Sequence, residues 1–371
     1  MSVQRSLDSL NLGDSPADLP RELMGIAAGK SIIGLDIEPG YVAAVETSSG
    51  SVAVERAATA QLAPGVMREG EVVDVDTLAD VLRKLFADHK LGRRVRLGVA
   101  NQRIVMRTID LPPLRDAKEI ASAVRFQAQE QIPMPLEQAV LEHHSLGIVE
   151  TPDGPRTRVV LVAARRDMID GLRAATRSAG LRPEGIDLSA FAMIRALYRP
   201  GREGATLYVS VGGMTNLAVA VGTTCVFTRV VAHGTEAMAG ELAERRGLTI
   251  EHARGWLTHV GVQIPVDDIE GESEIVVEAR AVISEGIRRI SDEVRNSLDF
   301  HRVQPGTVPV QNAVLTGPAV AIPGFCAQLG DEIQLPLEPG VVSEARPGAL
   351  GDIDAGSLAV AAGLTVEDIG A

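Results

Sequence analysis

The sequence predicts an α/β protein of two facing lobes, built on one duplicated unit and interrupted by an inserted module. Two observations predict this. A strand, a glycine turn, two further strands and a helix occur near the start of the chain and again after residue 205, and repetition of one such unit points to a duplicated core. Between the two copies lies a segment of a different pattern, strand-helix-strand-strand-helix.

In the first copy, Ser31 to Ile37 is a short apolar run and Glu38-Pro39-Gly40 has turn chemistry. Tyr41 to Glu46 is a second run, and Ser49-Gly50 turns the chain into a third at Val52, which makes a three-strand meander. Asp76 to His89 carries Leu78, Val81, Leu82 and Leu85 at helical spacing and stops before Gly92. In the second copy Thr206 to Val211 is a strand, Gly212-Gly213-Met214-Thr215 a glycine-rich turn, and Leu217 to Val221 and Cys225 to Val231 are strands around Gly222. A helix is expected from Thr235 to Arg246.

In the intervening module Val95 to Ala100 and Ile104 to Leu111 read as strands, and Pro112-Pro113 breaks the chain. Asp116 caps a helix that runs to Gln131 and ends at Pro133. Val140 to Ile148 and Thr157 to Ala164 flank the Asp153-Gly154 turn, and a helix from Asp167 to Ala179 closes at Gly180. The back of the chain holds a long amphipathic helix from Glu274 to His301, a buried-strand signal at Val310 to Leu315, and a closing helix over Asp354 to Ala362. The first 29 residues mix Ser, Asp, Pro and Leu and read as a flexible tail, with one short amphipathic helix over Pro20 to Ala28 as the alternative. The expected division is 1–29 tail, 30–106 first lobe, 107–182 inserted subdomain, 183–204 return to the first lobe, 205–345 second lobe, and 346–371 a C-terminal helix returning to the first lobe, then tail.

Composition narrows the function. The 371 residues are 45% apolar and 23% charged, with 49 acidic against 36 basic residues and a net charge of −13, which disfavours broad binding to nucleic acid or anionic lipid. Only 3% are aromatic, too few for a base-stacking platform. Cys225 and Cys326 stand far apart and form neither a disulfide framework nor a metal motif. No run is long and apolar enough to span a membrane, and the start of the chain lacks the apolar core of a signal peptide, so the cytoplasm is the expected compartment.

The glycine turns are the candidate site. Backbone N–H groups at a tight turn form an anion-binding concavity, and glycine lets a ligand come close. Two facing hairpins would clamp phosphates from both sides, although most glycine turns are only turns, and the chain has no GxxxxGK[ST] or GxGxxG motif. Other clusters have plainer explanations. His143 and His144 are adjacent on a strand and point to opposite faces, so they cannot chelate together. Arg288, Arg289 and Arg295 read as the solvated face of the long helix, and Trp256 as core or interface packing. No serine sits in a nucleophile elbow, and no catalytic residue is assigned.

Gly34-Leu35-Asp36-Ile37 with Gly40-Tyr41-Val42 resembles the first phosphate loop of the actin and hexokinase superfamily. Val211-Gly212-Gly213-Met214-Thr215-Asn216-Leu217 resembles its second, and Val314-Leu315-Thr316-Gly317-Pro318-Ala319 with Ile322-Pro323-Gly324 its adenosine loop. Residues Ala123 to Glu137, Phe227-Thr228-Arg229 leading to His233-Gly234, and Arg295-Asn296-Ser297-Leu298-Asp299-Phe300 narrow the resemblance to the PilM family of type IV pilus assembly proteins, from Lys30 to Gly363. The resemblance implies an actin-like two-lobed duplicated fold with an inserted FtsA-type 1C (SHS2-like) subdomain. It implies ATP with Mg²⁺ as cofactor, held by Asp36, Gly40, Tyr41, Gly212, Gly213, Thr215, Gly234 and Gly317. It also implies a partner, the cytoplasmic N-terminal tail of a PilN-like inner-membrane protein, received beside the inserted subdomain, with Val105, Arg107, Phe126 and Ile132 as candidate contacts. Ordinary core packing is an equal reading of Phe126 and Ile132. A pilus motor ATPase, a platform protein and a second copy of the chain are further partners it leaves open, and membrane contact would be indirect, through the partner.

Four departures from the family pattern predict that ATP binding is weak or lost. Glu38 replaces a small residue in the first loop and would repel a triphosphate, and Ala43 replaces a lysine. Ser210 replaces the aspartate of the second loop, and Pro318, which has no N–H, replaces the second glycine of the adenosine loop. Losing one preorganised electrostatic group costs ~2.7–4 kcal/mol of transition-state stabilisation. The expected function is therefore a docking adaptor. The alternatives are a working ATPase of the actin superfamily and an FtsA-like division protein. Against the second, Leu364 to Ala371 is short and acidic where such a protein has an amphipathic membrane helix.

Overall fold

The computed structural model describes residues 31–304 and 306–366; the tail expected over 1–29 and its helix at Pro20 to Ala28 lie outside the described residues. The first lobe opens with the expected meander, β1 (Ile33–Glu38), β2 (Tyr41–Thr47) and β3 (Val54–Gln61), with Glu38 opposite Tyr41 at the tip of the β1–β2 hairpin. Every residue of β1 is buried, so the strand shows no alternation between core and solvent, and its Asp36 and Glu38 are buried with the apolar residues. A small hairpin, β4 (Met67–Arg68) and β5 (Glu71–Val72), follows. Next come α1 (Val75–Asp88), capped by the Asp74 carboxylate on the Thr77 N–H, and β6 (Arg94–Val99), parallel to β1.

The inserted module is β7 (Val105–Leu111), α2 (Ala117–Gln131), β8 (Ala139–Thr151) and β9 (Gly154–Arg165), with strand order β7-β9-β8. Its own small core joins Ile109, Leu111, Ile120, Val124, Ala128, Val159 and Leu161. Asp116 caps α2 as expected, accepting from the N–H groups of Lys118 (2.9 Å) and Glu119 (3.1 Å). Asp116→Ala is expected to destabilise the module by about 1 kcal/mol, read as faster hydrogen exchange in the first turn of α2. The next helix, α3 (Arg166–Ser178), turns Met168, Ile169 and Leu172 into the first-lobe core beside α1. Then β10 (Arg182–Leu188) completes a sheet of order β10-β6-β1-β2-β3, and α4 (Ser189–Leu197) crosses to the second lobe.

The second lobe repeats the plan. It comprises β11 (Ala205–Val211), β12 (Thr215–Val221), β13 (Thr224–Val231), α5 (Thr235–Arg246), α6 (Ile250–Val260), α7 (Ser273–Arg302), β14 (Val310–Thr316), α8 (Phe325–Ile333) and β15 (Leu337–Pro339). Its strand order, β13-β12-β11-β14-β15, is the first sheet's order element for element: a meander, then two parallel strands. One face carries α5 to α8. The opposite face turns toward the first lobe across α4 and the final helix, α9 (Ala359–Leu364). These two helices form one inter-lobe core with Ala43 and Val45 of the first sheet and Tyr208, Ala218 and Val314 of the second. The closing helix expected over Asp354 to Ala362 starts instead as a 3₁₀ turn at Ala355–Leu358, capped by Asp354, and continues through Gly363 to Leu364.

Candidate functional site

The duplication brings the two glycine turns face to face. Gly40 adopts φ +93° at the tip of the first hairpin, a conformation that a side chain would strain. Across from it, Gly213 approaches so closely that an added Cβ would lie 2.0 Å from the Pro39 carbonyl oxygen. No ligand-sized gap separates the hairpins at this point. The Gly213 N–H donates to Glu38 Oε2 at 2.8 Å, in the buried interior of the contact. Gly212 donates its N–H to the Met214 carbonyl (2.9 Å), and its own carbonyl accepts from Thr235 N–H (2.7 Å) and the Thr235 hydroxyl (2.9 Å). The Thr215 hydroxyl donates to the His233 carbonyl, so it too is engaged within the protein. Gly234 caps α5, its Cα packed against the Gly212 carbonyl. Gly317, at φ +87°, sits at the end of β14 against Val211 and donates to the Gly356 carbonyl at 3.0 Å. The eight nucleotide-site candidates therefore lie along one seam, Gly317 at its far end.

Two carboxyls are buried in that seam. Asp36 is 1% exposed and Glu38 3%, and Asp36 Oδ2 has no hydrogen-bond partner among the described residues. Burial pushes the Asp36 carboxyl up to about 7. The Glu38 carboxyl is pushed up to about 8, first by burial and then by Asp36, against the opposing pull of the Gly213 and Met214 N–H groups, with Glu236 adding to the rise. The Tyr41 phenol is raised well above its usual value by burial and by the surrounding carboxylates. No arginine or lysine faces this pair at ion-pair distance among the described residues.

Beside the hairpins a cavity of about 470 Å³ opens between the lobes, lined in part by Tyr41, Gln61, Thr235, Glu236, Arg254, Pro318, Asp352 and Asp354. Arg254 of α6 grips Glu236 of α5 through both carboxylate oxygens, each at 2.7 Å. The same guanidinium crosses to the first lobe, donating to Gln61 Oε1 at the end of β3 and to the Leu62 carbonyl. Sequence reasoning missed Arg254, Glu236 and Gln61, because nothing in a chain marks an arginine that will meet a strand end almost two hundred residues earlier.

The four departures take definite places. Glu38 fills the gap between the hairpins. Ala43 is fully buried in the inter-lobe core, Ser210 is buried in β11, and Pro318 opens a 3₁₀ turn at the cavity wall. The partner candidates do not converge. Val105 packs against the module's core and Arg107 is exposed on the same strand, whereas Ile132 is buried in that core at 6% exposure. Phe126 is 70% exposed on the face of α2 turned away from Val124, so core packing does not account for it. Arg288 and Arg295 are exposed as expected, and Arg289, its side chain 40% exposed on the same helix, pairs with Glu241 and Glu285 and contacts His233.

A second cavity, of about 350 Å³, lies where the module leaves the first lobe. Ala100, Asn101, Gln102 and Ile104 line it from the approach to β7, Leu188 and Ala190 from below, and Thr228, Arg229 and Val230 from β13. Among the described residues both flanking strands are sheet edges: β7 pairs only with β9, and β13 only with β12.

Comparison with known proteins matches this geometry. Among solved structures, a PilM-PilN type IV pilus biogenesis complex aligns at TM-score 0.74 with 26% identity, covering 90% of this chain and 97% of the other. Ethanolamine utilization protein EutJ from Carboxydothermus hydrogenoformans aligns at TM-score 0.53 (14% identity, 90% and 88% covered). MreB 5 of Spiroplasma citri bound to AMPPNP aligns at 0.51 (13% identity, 90% and 95% covered). The last two establish the actin-like fold alone. The family profile described as type IV pilus assembly protein PilM matches residues 34–366. The chain belongs to the PilM family of type IV pilus assembly proteins.

Proposed function

We propose that the protein is a peptide-docking adaptor of type IV pilus assembly, binding the N-terminal cytoplasmic tail of a PilN-like membrane protein in the cavity between β7 and β13. The observation that carries this is a cavity beside two sheet-edge strands, its walls mixing Asn101, Gln102, Thr228 and Arg229 with Val99, Ile104 and Leu188. An extended peptide gains backbone hydrogen bonds by adding to such an edge, while alternate side chains fill pockets. Val105 and Arg107, on β7 just after the lining residue Ile104, are the candidate contacts within reach of this groove. Ile132 supports the module from within, and Phe126 is free for another contact. The likeness to a solved PilM-PilN type IV pilus biogenesis complex supports the choice of partner. Among the described residues no helix is long and apolar enough to cross a membrane, so the partner would supply the membrane attachment.

The nucleotide site on this reading is degenerate. A triphosphate does not fit the residues present: the Gly213 N–H already serves Glu38, the Gly212 N–H and Thr215 hydroxyl serve the backbone, and no cation among the described residues replaces the missing lysine at Ala43. The wall adds Glu236, Asp352 and Asp354, while Arg254 is committed to Glu236. Asp36 is the one group left that would hold a Mg²⁺-bound water.

The test is titration of the protein with the N-terminal peptide of a PilN-like protein from the same cell, with and without Mg-ATP. Binding is expected without nucleotide, and Gln102→Trp, which fills the cavity mouth from an exposed turn, is expected to weaken it at least tenfold. Binding only after ATP is added would point to a working nucleotide switch, and full-strength binding to Gln102→Trp would place the peptide elsewhere.

A further inference from the structure

We infer that Glu38 and Arg254 together replace nucleotide as the tie between the two lobes, so that the groove between β7 and β13 is formed permanently. In two-lobed folds of this plan a ligand that hydrogen-bonds both hairpins favours closure through its differential affinity for the closed state. Here the chain supplies that bridge itself. Glu38 belongs to the first lobe, and its carboxylate accepts from Gly213 of the second at 2.8 Å, the bond a phosphate oxygen would take. Arg254 belongs to the second lobe and reaches Gln61 and Leu62 of the first, held in aim by its two bonds to Glu236. The two ties lie on either side of Gly40, whose Cα packs against the Glu236 carboxylate, so hairpin, clasp and plug form one contact. The groove borders both lobes, with Ile104 and Leu188 on one wall and Thr228 to Val230 on the other, so its width is set by how the lobes are held.

The consequence for the peptide rests on the docking role proposed above; the tie itself does not. Hydrogen exchange at the Gly213 amide tests the tie directly in the full chain. In the wild type this amide is expected to exchange slowly, and 5 mM Mg-ATP to leave its rate unchanged. Glu38→Gly is expected to speed exchange at least tenfold and to gain Mg-ATP binding at least tenfold over wild type, with ATP slowing the exchange again. Glu38→Gln, which still presents an acceptor to Gly213, should retain protection and guards against reading a folding defect as loss of the tie. Arg254→Ala should speed exchange at Leu62 and in the 211–215 turn together. Equal Gly213 exchange in wild type and Glu38→Gly, or slowing of the wild-type rate by Mg-ATP, overturns the inference. If the peptide fails to bind any variant while the exchange pattern holds, the docking role fails and the tie stands.

Discussion

Replacing Gly363 by alanine is expected to cost at least about 3 kcal/mol of stability, the larger end of overpacking penalties. A Cβ on Gly363 would lie 1.8 Å from the Ala192 carbonyl oxygen, backbone of the neighbouring buried helix that has no side chain to swing aside. To admit the methyl, α4 and α9 would have to part, and both lie in the core shared by the two lobes, where interior packing leaves little room to yield. Urea denaturation measures the loss. Gly240→Ala is the control: it sits in α5 with no heavy atom within 4 Å of the added Cβ, and the change should be neutral or stabilise by up to ~1 kcal/mol. Equal midpoints for the two variants would show that the α4–α9 contact is not tight.

The second large effect is a loss of stability on raising the pH. The folded-state values of Asp36 (about 7) and Glu38 (about 8) lie above their ordinary values of 3.8 and 4.5. The folded protein therefore holds protons that the unfolded chain releases, and stability falls as pH rises. The contribution is complete below about pH 4 and is lost progressively as pH climbs through 7 and 8. Its slope is about 1.4 kcal/mol per pH unit for each proton retained. The groups facing the pair are Tyr41 and Glu236, with Asp354 beyond Tyr41, and none of them is a cation that would counter the trend. The depressed carboxyls Asp74, Asp110, Asp167 and Glu285 and the lowered His233 imidazole act in the opposite sense, losing their stabilisation as pH falls, and the raised Cys225 thiol adds to the decline only near the alkaline end, so the difference between wild type and the two variants across pH 6 to 8.5 isolates the buried pair. Denaturation across that window should show wild-type stability falling, the slope flattened in Asp36→Asn and Glu38→Gln, and Glu38→Gln more stable than wild type at pH 8.5. Parallel slopes in all three proteins would refute the assignment.

The sequence discloses the fold where local chemistry and tertiary environment agree. The meanders, the caps at Asp74 and Asp116 and the long α7 all follow from turn residues and hydrophobic spacing. It hides α4, whose Ala190, Ala192, Met193, Ile194 and Leu197 are buried between the lobes, so that no polar face marks it as an amphipathic helix. It also hides α3's allegiance to the first lobe: the helix follows the module without a break, and only Met168, Ile169 and Leu172 packing near α1 shows where it belongs. At the site, Glu38 is legible as a misfit beside phosphate, yet a string of residues cannot show that its carboxylate already lies on the Gly213 N–H. That bond joins positions 175 residues apart and exists only once both copies of the repeat have folded and met.

The place of α9 also sets an order on biosynthesis. Translation delivers this helix after every other described element, but it packs on the first strands made: an added Cβ on Gly34 of β1 would meet the Ala361 carbonyl at 1.8 Å, and Arg96 of β6 donates to the Leu364 carbonyl at 3.2 Å. Until α9 arrives, β1 and β2 lack their cover on the face that α4 only partly spans, and such exposed apolar surface is what chaperones and proteases recognise. A ribosome that stalls before residue 359 therefore releases a chain that cannot finish its own first lobe, and the cell can dispose of it before it competes for a place in the pilus assembly.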